Sequence, residues 1–405
     1  MNKSVFIMGV ILCCGCTALL VRADDSGATN EGIMSVVNAN NLFALSLYPK
    51  ITSSESGNVF FSPYSISTAM SMVYEGVNGS TADEISSVFH FPLDSTIRHS
   101  SIAAIYNSLN SQSSNYVLRT ANALWVQENY SILNNFSDIA RNYYAGEAMN
   151  LDFISNTEQS RSTINSWVEE NTNKKIVNLI PVGSLNELTR LVLTNAIYFK
   201  GKWFKQFDTG DTHDADFMLS NNDTVTVKMM SLSETELNYA EAENLKILEM
   251  TYKDNNLSMI VLLPNSNDLT ELESSLTLEN LNYWKSLLVG TKVDVYLPKF
   301  TFDTKYYLNS VLSEMGMPSA FTPYVADLSG IDGTHDLYIT FVIHQAFVAV
   351  DEEGTEAAAA TAIGVGMTAM PIMHVFRADH PFIFLIQDRV TGNILFLGRV
   401  MNPLE

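Results

Sequence analysis

The residues with the most telling chemistry lie in one run near the C-terminus, Glu352-Glu-Gly-Thr-Glu-Ala-Ala-Ala-Ala-Thr-Ala-Ile-Gly-Val-Gly-Met-Thr-Ala-Met-Pro371. Four consecutive alanines favour helix by propensity. Gly354, Gly364 and Gly366 bracket them, however, and Thr361, Ile363 and Val365 are β-branched. In an extended strand Thr355, Ala357, Ala359, Thr361, Ile363 and Val365 share one face, and Glu356, Ala358, Ala360, Ala362, Gly364 and Gly366 share the other. Apart from Glu356, every one of these is small or β-branched. Such a segment has the shape to slide between two existing strands, and its twelve residues would span about 40 Å at roughly 3.3 Å per residue. An ordinary flexible Ala/Gly loop is the competing reading.

Other chemical signatures are missing or out of context. The chain has no His-Glu-x-x-His, no phosphate-binding Gly-Lys-Ser/Thr loop and no Gly-x-Ser-x-Gly elbow. Gly364-Val-Gly366-Met-Thr-Ala369 matches the dinucleotide fingerprint, but Met370-Pro371 follows where a helix is required. Asp208, Asp211, Asp214 and Asp216 are not spaced as a calcium loop and read as a solvated loop. No metal and no cofactor are expected.

The elements that must position the run alternate along the chain. Helical spacing is visible from Asn40 to Pro49, from Ser65 to Tyr74 and from Ser162 to Lys175, and strand-like runs at Leu191–Phe199, Leu257–Leu263, Val293–Leu297 and Phe382–Ile386. Helices are denser in the first half and strands in the second. This points to an α+β fold with large sheets, and no linker or repeat divides residues 24–405.

Lys3, the apolar stretch Val5–Val21 and the small residues before Asp24 read as a signal peptide, residues 1–23, cut after Ala23; a membrane anchor is the alternative. All three cysteines (Cys13, Cys14, Cys16) fall inside it, so the mature chain would carry no disulfide and no thiol chemistry. Its core must then hold it together, which 46% apolar content allows. Removing Lys3 and Arg22 leaves 21 basic against 44 acidic residues, a net of −23. That balance disfavours nucleic acid and heparin as partners. Sequons at Asn78, Asn129, Asn135, Asn222 and Asn256 suit glycosylation of a secreted, extracellular protein.

The run Glu352–Thr361 resembles the hinge of inhibitory serpins, and Phe376-Arg-Ala-Asp-His-Pro-Phe-Ile-Phe-Leu-Ile386 resembles that family's C-terminal signature. Asn58–Ile66, Gly76–Ile85, Ala121–Trp125, Leu193–Trp203, Leu297–Phe300 and Gly398–Pro403 match family blocks in order across the mature chain. The resemblance implies the serpin fold, a monomer, and a suicide mechanism. A serine protease attacks the loop and forms its acyl-enzyme, and the cleaved loop then inserts as a strand of the main sheet. Serpin loop insertion is a known form of strand addition.

The resemblance also assigns single residues. Glu352, Gly354, Thr355, Glu356, Ala357, Ala358, Ala359, Ala360 and Thr361 form the loop hinge. Ser62, Ser65, Asn195 and His344 form a polar cluster beneath the opening strands, read as a satisfied core network and not as a hydrolase site. Trp203 marks the sheet end where insertion starts. The scissile bond follows the fourteenth residue counted from Thr355, which is Thr368-Ala369, with Met367-Thr368 the alternative. No lysine or arginine occurs from Gly354 to Val375, so elastase-like or chymotrypsin-like proteases are the expected targets. A serpin-fold carrier, chaperone or store is the alternative function.

Overall fold

The computed structural model describes residues 22–110, 115–354 and 374–405. Among these residues the helices are α1 Asn30–Ser54, α2 Pro63–Tyr74, α3 Gly79–Phe89, α4 Ser95–Leu109, α5 Asn134–Tyr144, α6 Thr157–Asn171, α7 Thr270–Ser275, α8 Leu278–Ser286, α9 Asn309–Met315 and α10 Ser329–Asp332. The strands run β1 Val59–Phe61, β2 Tyr116–Gln127, β3 Glu147–Leu151, β4 Leu191–Gly201, β5 His213–Met218, β6 Thr224–Ala242 and β7 Leu245–Thr251. They continue as β8 Leu257–Pro264, β9 Val289–Pro298, β10 Phe300–Tyr307, β11 Phe341–Val350, β12 His374–Arg377, β13 Phe382–Asp388 and β14 Ile394–Val400.

Two sheets carry the fold. One has the order β1-β14-β13-β8-β7-β6-β9-β12, with β5 added on β6; the other has the order β10-β11-β4-β2-β3. The runs read as strands in the sequence all lie in strands, and the apolar ones are buried on both faces, as central strands must be. Leu118, Ile197, Phe199, Ala346 and Val348 of the five-stranded sheet pack toward the other sheet with Met250, Val261, Phe384 and Phe396. On the opposite face α6 lies across the sheet. Ile164 and Val168 there cover Ala121, Ala123, Trp125, Val192, Ala196 and Ile343.

Local chemistry explains the elements nearest the site. Ser62 caps α2 by accepting from the Ser65 N–H, and Pro63 starts the helix where a missing N–H costs nothing. Two helix ends differ from expectation. α1 runs through Pro49 to Ser54 because Ile51, beyond the proline, is buried with Leu47 and Tyr48. α6 stops at Asn171 and not Lys175, since Asn173 and Lys174 take left-handed φ values of 51° and 59°. Among the described residues no helix is long and apolar enough to cross a membrane.

Candidate functional site: the hinge and the strand gap

The centre of the five-stranded sheet contains a parallel pair. β11 and β4 are partners from Phe341↔Val192 to Phe347↔Tyr198, whereas β10–β11 and β4–β2 are antiparallel. Beyond the Tyr198–Phe347 rung the pairing ends, although both strands continue, to Val350 and Gly201. A strand laid between the two would run antiparallel to both. The chain that leaves β11 has that direction as soon as it turns back.

The turn is present. Asp351 and Gly354 form an antiparallel bridge around Glu352-Glu353, and Gly354 forms a second antiparallel bridge to Lys202, just past β4. The Trp203 N–H donates to the Glu353 carbonyl at 2.7 Å, the Phe207 N–H to the Glu352 carbonyl at 2.8 Å, and the Trp203 indole N–H to the Asp351 carbonyl at 3.0 Å. Trp203 is itself fixed by stacking on Tyr252, ring centroids 4.6 Å apart. Gly354 has to be glycine on two counts. Its φ is +145°, and a Cβ there would lie 2.1 Å from the Gly201 carbonyl oxygen.

Three consecutive acids share this turn. Glu352 accepts from Lys299 Nζ at 2.6 Å and from the Thr212 hydroxyl at 2.8 Å. Burial alone would raise its carboxyl, but the Lys299 and Thr212 contacts outweigh it and hold it below the ordinary glutamate value. Asp351 is pushed up chiefly by burial. Glu353 is pushed up by burial and then by the neighbouring Asp351 charge, and its Oε2 is buried without a hydrogen-bond partner.

Below the gap the polar residues assemble into one network. The Ser62 N–H donates to His344 Nε2 at 3.1 Å, so that nitrogen carries no proton and Nδ1–H faces the Asn195 side-chain oxygen. Asn195 Nδ2 donates to Ser65 Oγ at 2.6 Å and to Asn122 Oδ1 at 2.5 Å, and the Ser62 hydroxyl donates to the Leu395 carbonyl at 2.6 Å. Ser62, Ser65, Asn195 and His344 are all at most 1% exposed. Among the described residues no serine hydroxyl hydrogen-bonds the imidazole, and Ser62 and Ser65 do not form a nucleophile–base pair with it. Burial pushes the His344 imidazole down to about 3.

Sequence reasoning missed several participants. Asn122 is the strand partner of Asn195, and its signal was a lone amide in the otherwise apolar Ala121–Trp125 stretch. The Tyr306 hydroxyl accepts from the Phe60 N–H at 3.4 Å, and its ring lies parallel to that of His344. Lys299, Thr212, Gln206 and Phe207 hold the turn through contacts that only the tertiary fold creates. The expected hinge residues Thr355, Glu356, Ala357, Ala358, Ala359, Ala360 and Thr361, the expected bond at Thr368-Ala369 and its alternative Met367 lie outside the described residues, as do residues 1–21 of the expected signal segment. Ala23 is buried, and both its N–H and its carbonyl are held by the Asn107 amide. Asn78, Asn129, Asn135, Asn222 and Asn256 are all exposed.

The family model of serpins (serine protease inhibitors) matches residues 38–403. An uncharacterized serpin-like protein of Methanosarcina acetivorans is 45% identical over 369 residues, 91% of this chain and 86% of that protein. The leukocyte elastase inhibitor of Xenopus tropicalis is 42% identical over 369 residues, covering 89% of this chain and 97% of that one. Uncleaved ovalbumin superposes with a TM-score of 0.84 at 32% identity, over 91% of this chain and 100% of its own. With its parallel strand gap, its pinned glycine turn and its buried polar network, the chain belongs to the serpin family.

Proposed function

We propose that this protein is a secreted inhibitor that traps an elastase-like or chymotrypsin-like serine protease by inserting its cleaved loop between β4 and β11. One observation carries the reading. Continued inward from Gly354, the bridge to Asp351 brings residue 358 opposite Phe347, and the bridge to Lys202 brings the same residue opposite Tyr198. Phe347 and Tyr198 are already partners. The two registers therefore agree, and the loop can zip in from Gly354 with no slip in either strand.

The same register gives every loop residue a place. Thr361 would sit between His344 and Asn195, over the polar network, and Thr355 between Val350 and Gly201. Thr355, Ala357, Ala359, Thr361, Ile363 and Val365 would then face the buried side. Glu356, the one charged residue between Thr355 and Gly366, would face outward beside Lys200, where opposite charges support pairing. The specificity rests on the absence of lysine and arginine from Gly354 to Val375, and the elastase inhibitor among the relatives is consistent with it. Secretion rests on the signal-like N-terminus and on five sequons whose asparagines are all exposed.

Incubation with a protease panel tests the reading. Elastase-like or chymotrypsin-like enzymes should give a protease-sized band shift that survives boiling in detergent. Complexes with trypsin-like enzymes alone would reject the specificity. Loop cleavage with no complex would favour a carrier, chaperone or store.

A further inference from the structure

The Tyr198–Phe347 rung, the last closed pair below the gap, carries an unusual cover. Past α6, the left-handed residues Asn173 and Lys174 turn the chain onto the outer face of the sheet. Buried Ile176 then anchors it against Val192, Ala196 and Ile343. Between turn and anchor, Lys175 Nζ lies 5.9 Å from the Tyr198 ring centroid and 5.5 Å from that of Phe347. The two rings are 6.2 Å apart, and they sit on the two strands that would have to part. One ammonium thus bridges both sides of the gap, within the roughly 6 Å reach of a cation–π contact to each ring.

We propose that Lys175 is a clasp on the strand gap, holding the Tyr198–Phe347 rung closed and so setting how fast the loop inserts; this rests on the insertion reading above. Neighbouring strands lie about 4.8 Å apart, so a strand between β4 and β11 doubles their separation. The rings move apart by the same amount, with residue 358 filling the space between them. Lys175 then keeps at most one ring. Its contact therefore stabilises the closed sheet over the expanded one and resists opening at the first rung the loop must break. Lys175 is exposed, so substituting it leaves the core intact.

The probe is a synthetic peptide with the sequence of residues 355–366, annealed to the intact protein. Lys175→Gln should speed annealing about two- to fivefold, the factor expected for one cation–π contact. Lys175→Arg, which keeps a cation over both rings, should anneal at the parent rate. Lys175→Gln should also lower the Tm of the intact protein while leaving that of loop-cleaved protein unchanged, a difference that simple packing would not produce. Equal annealing rates, or equal losses of Tm in both forms, would overturn the clasp and leave insertion standing. A parent protein that takes up no peptide and gains no Tm on cleavage would overturn insertion and the clasp together.

Discussion

At the scale of single residues, the protein buries a histidine that its hydrogen-bond partners hold neutral. His344 accepts from a backbone N–H through one nitrogen and donates to Asn195 through the other, so protonation would turn the acceptor into a second donor facing Ser62 N–H. Its folded value of about 3 lies far below the ordinary 6.5. A depressed folded value means that this stability is fully present above pH 6.5 and is lost as the pH falls toward 3. Between pH 7 and 5 the loss should reach about 2 kcal/mol. Asp351 and Glu353 act in the opposite sense, since raised carboxyl values favour the fold as the pH falls. Comparison with His344→Gln isolates the histidine, because the acids are common to both proteins. Urea melts should show the parent losing stability from pH 7 to 5 relative to the variant, and parallel profiles would refute the neutral-histidine assignment.

At the scale of elements, the proposed insertion depends on which face of the added strand each loop residue would take. In the proposed insertion Thr355 would take the inward face, opposite Val350 and Gly201, in the register set by Gly354. Thr355→Arg would carry an unpaired charge into the sheet, which is prohibitive. Insertion should stall until the acyl-enzyme hydrolyses, so the variant should be cut as a substrate with its fold retained. An unchanged ratio of complex to cleaved product would show that this face is not the buried one. The alternation that defines the two faces was legible in the sequence, because a period of two survives whatever surrounds it. The gap itself was not legible. It exists because β11 and β4, about 150 residues apart, meet in parallel and then stop pairing at Phe347 and Tyr198. The ion pair of Glu352 with Lys299 and the seat of Lys175 depend on the same long-range meeting. Helix ends were misread where tertiary contacts decided them, at Pro49 within α1 and at the left-handed turn after α6.

At the scale of the whole molecule, the proposed loop insertion requires a native state that is not the most stable arrangement of its own chain. Beyond the Tyr198–Phe347 rung β4 and β11 run on without pairing to each other, and the turn at Asp351–Gly354 holds two acids whose carboxyls burial pushes up. Once the loop is cut, residues 355–366 would be free to fill the gap as a strand. Each ladder hydrogen bond it gains contributes about 1 kcal/mol net. Burying Ile363 and Val365 adds up to roughly 1.5–3 kcal/mol apiece. A severed loop in an ordinary protein contributes nothing comparable. The direct test is a pair of thermal melts, one of intact protein and one of protein nicked once between Gly354 and Pro371. Loop insertion should give the nicked form a Tm well above that of the intact chain, and an equal or lower Tm after nicking would contradict it.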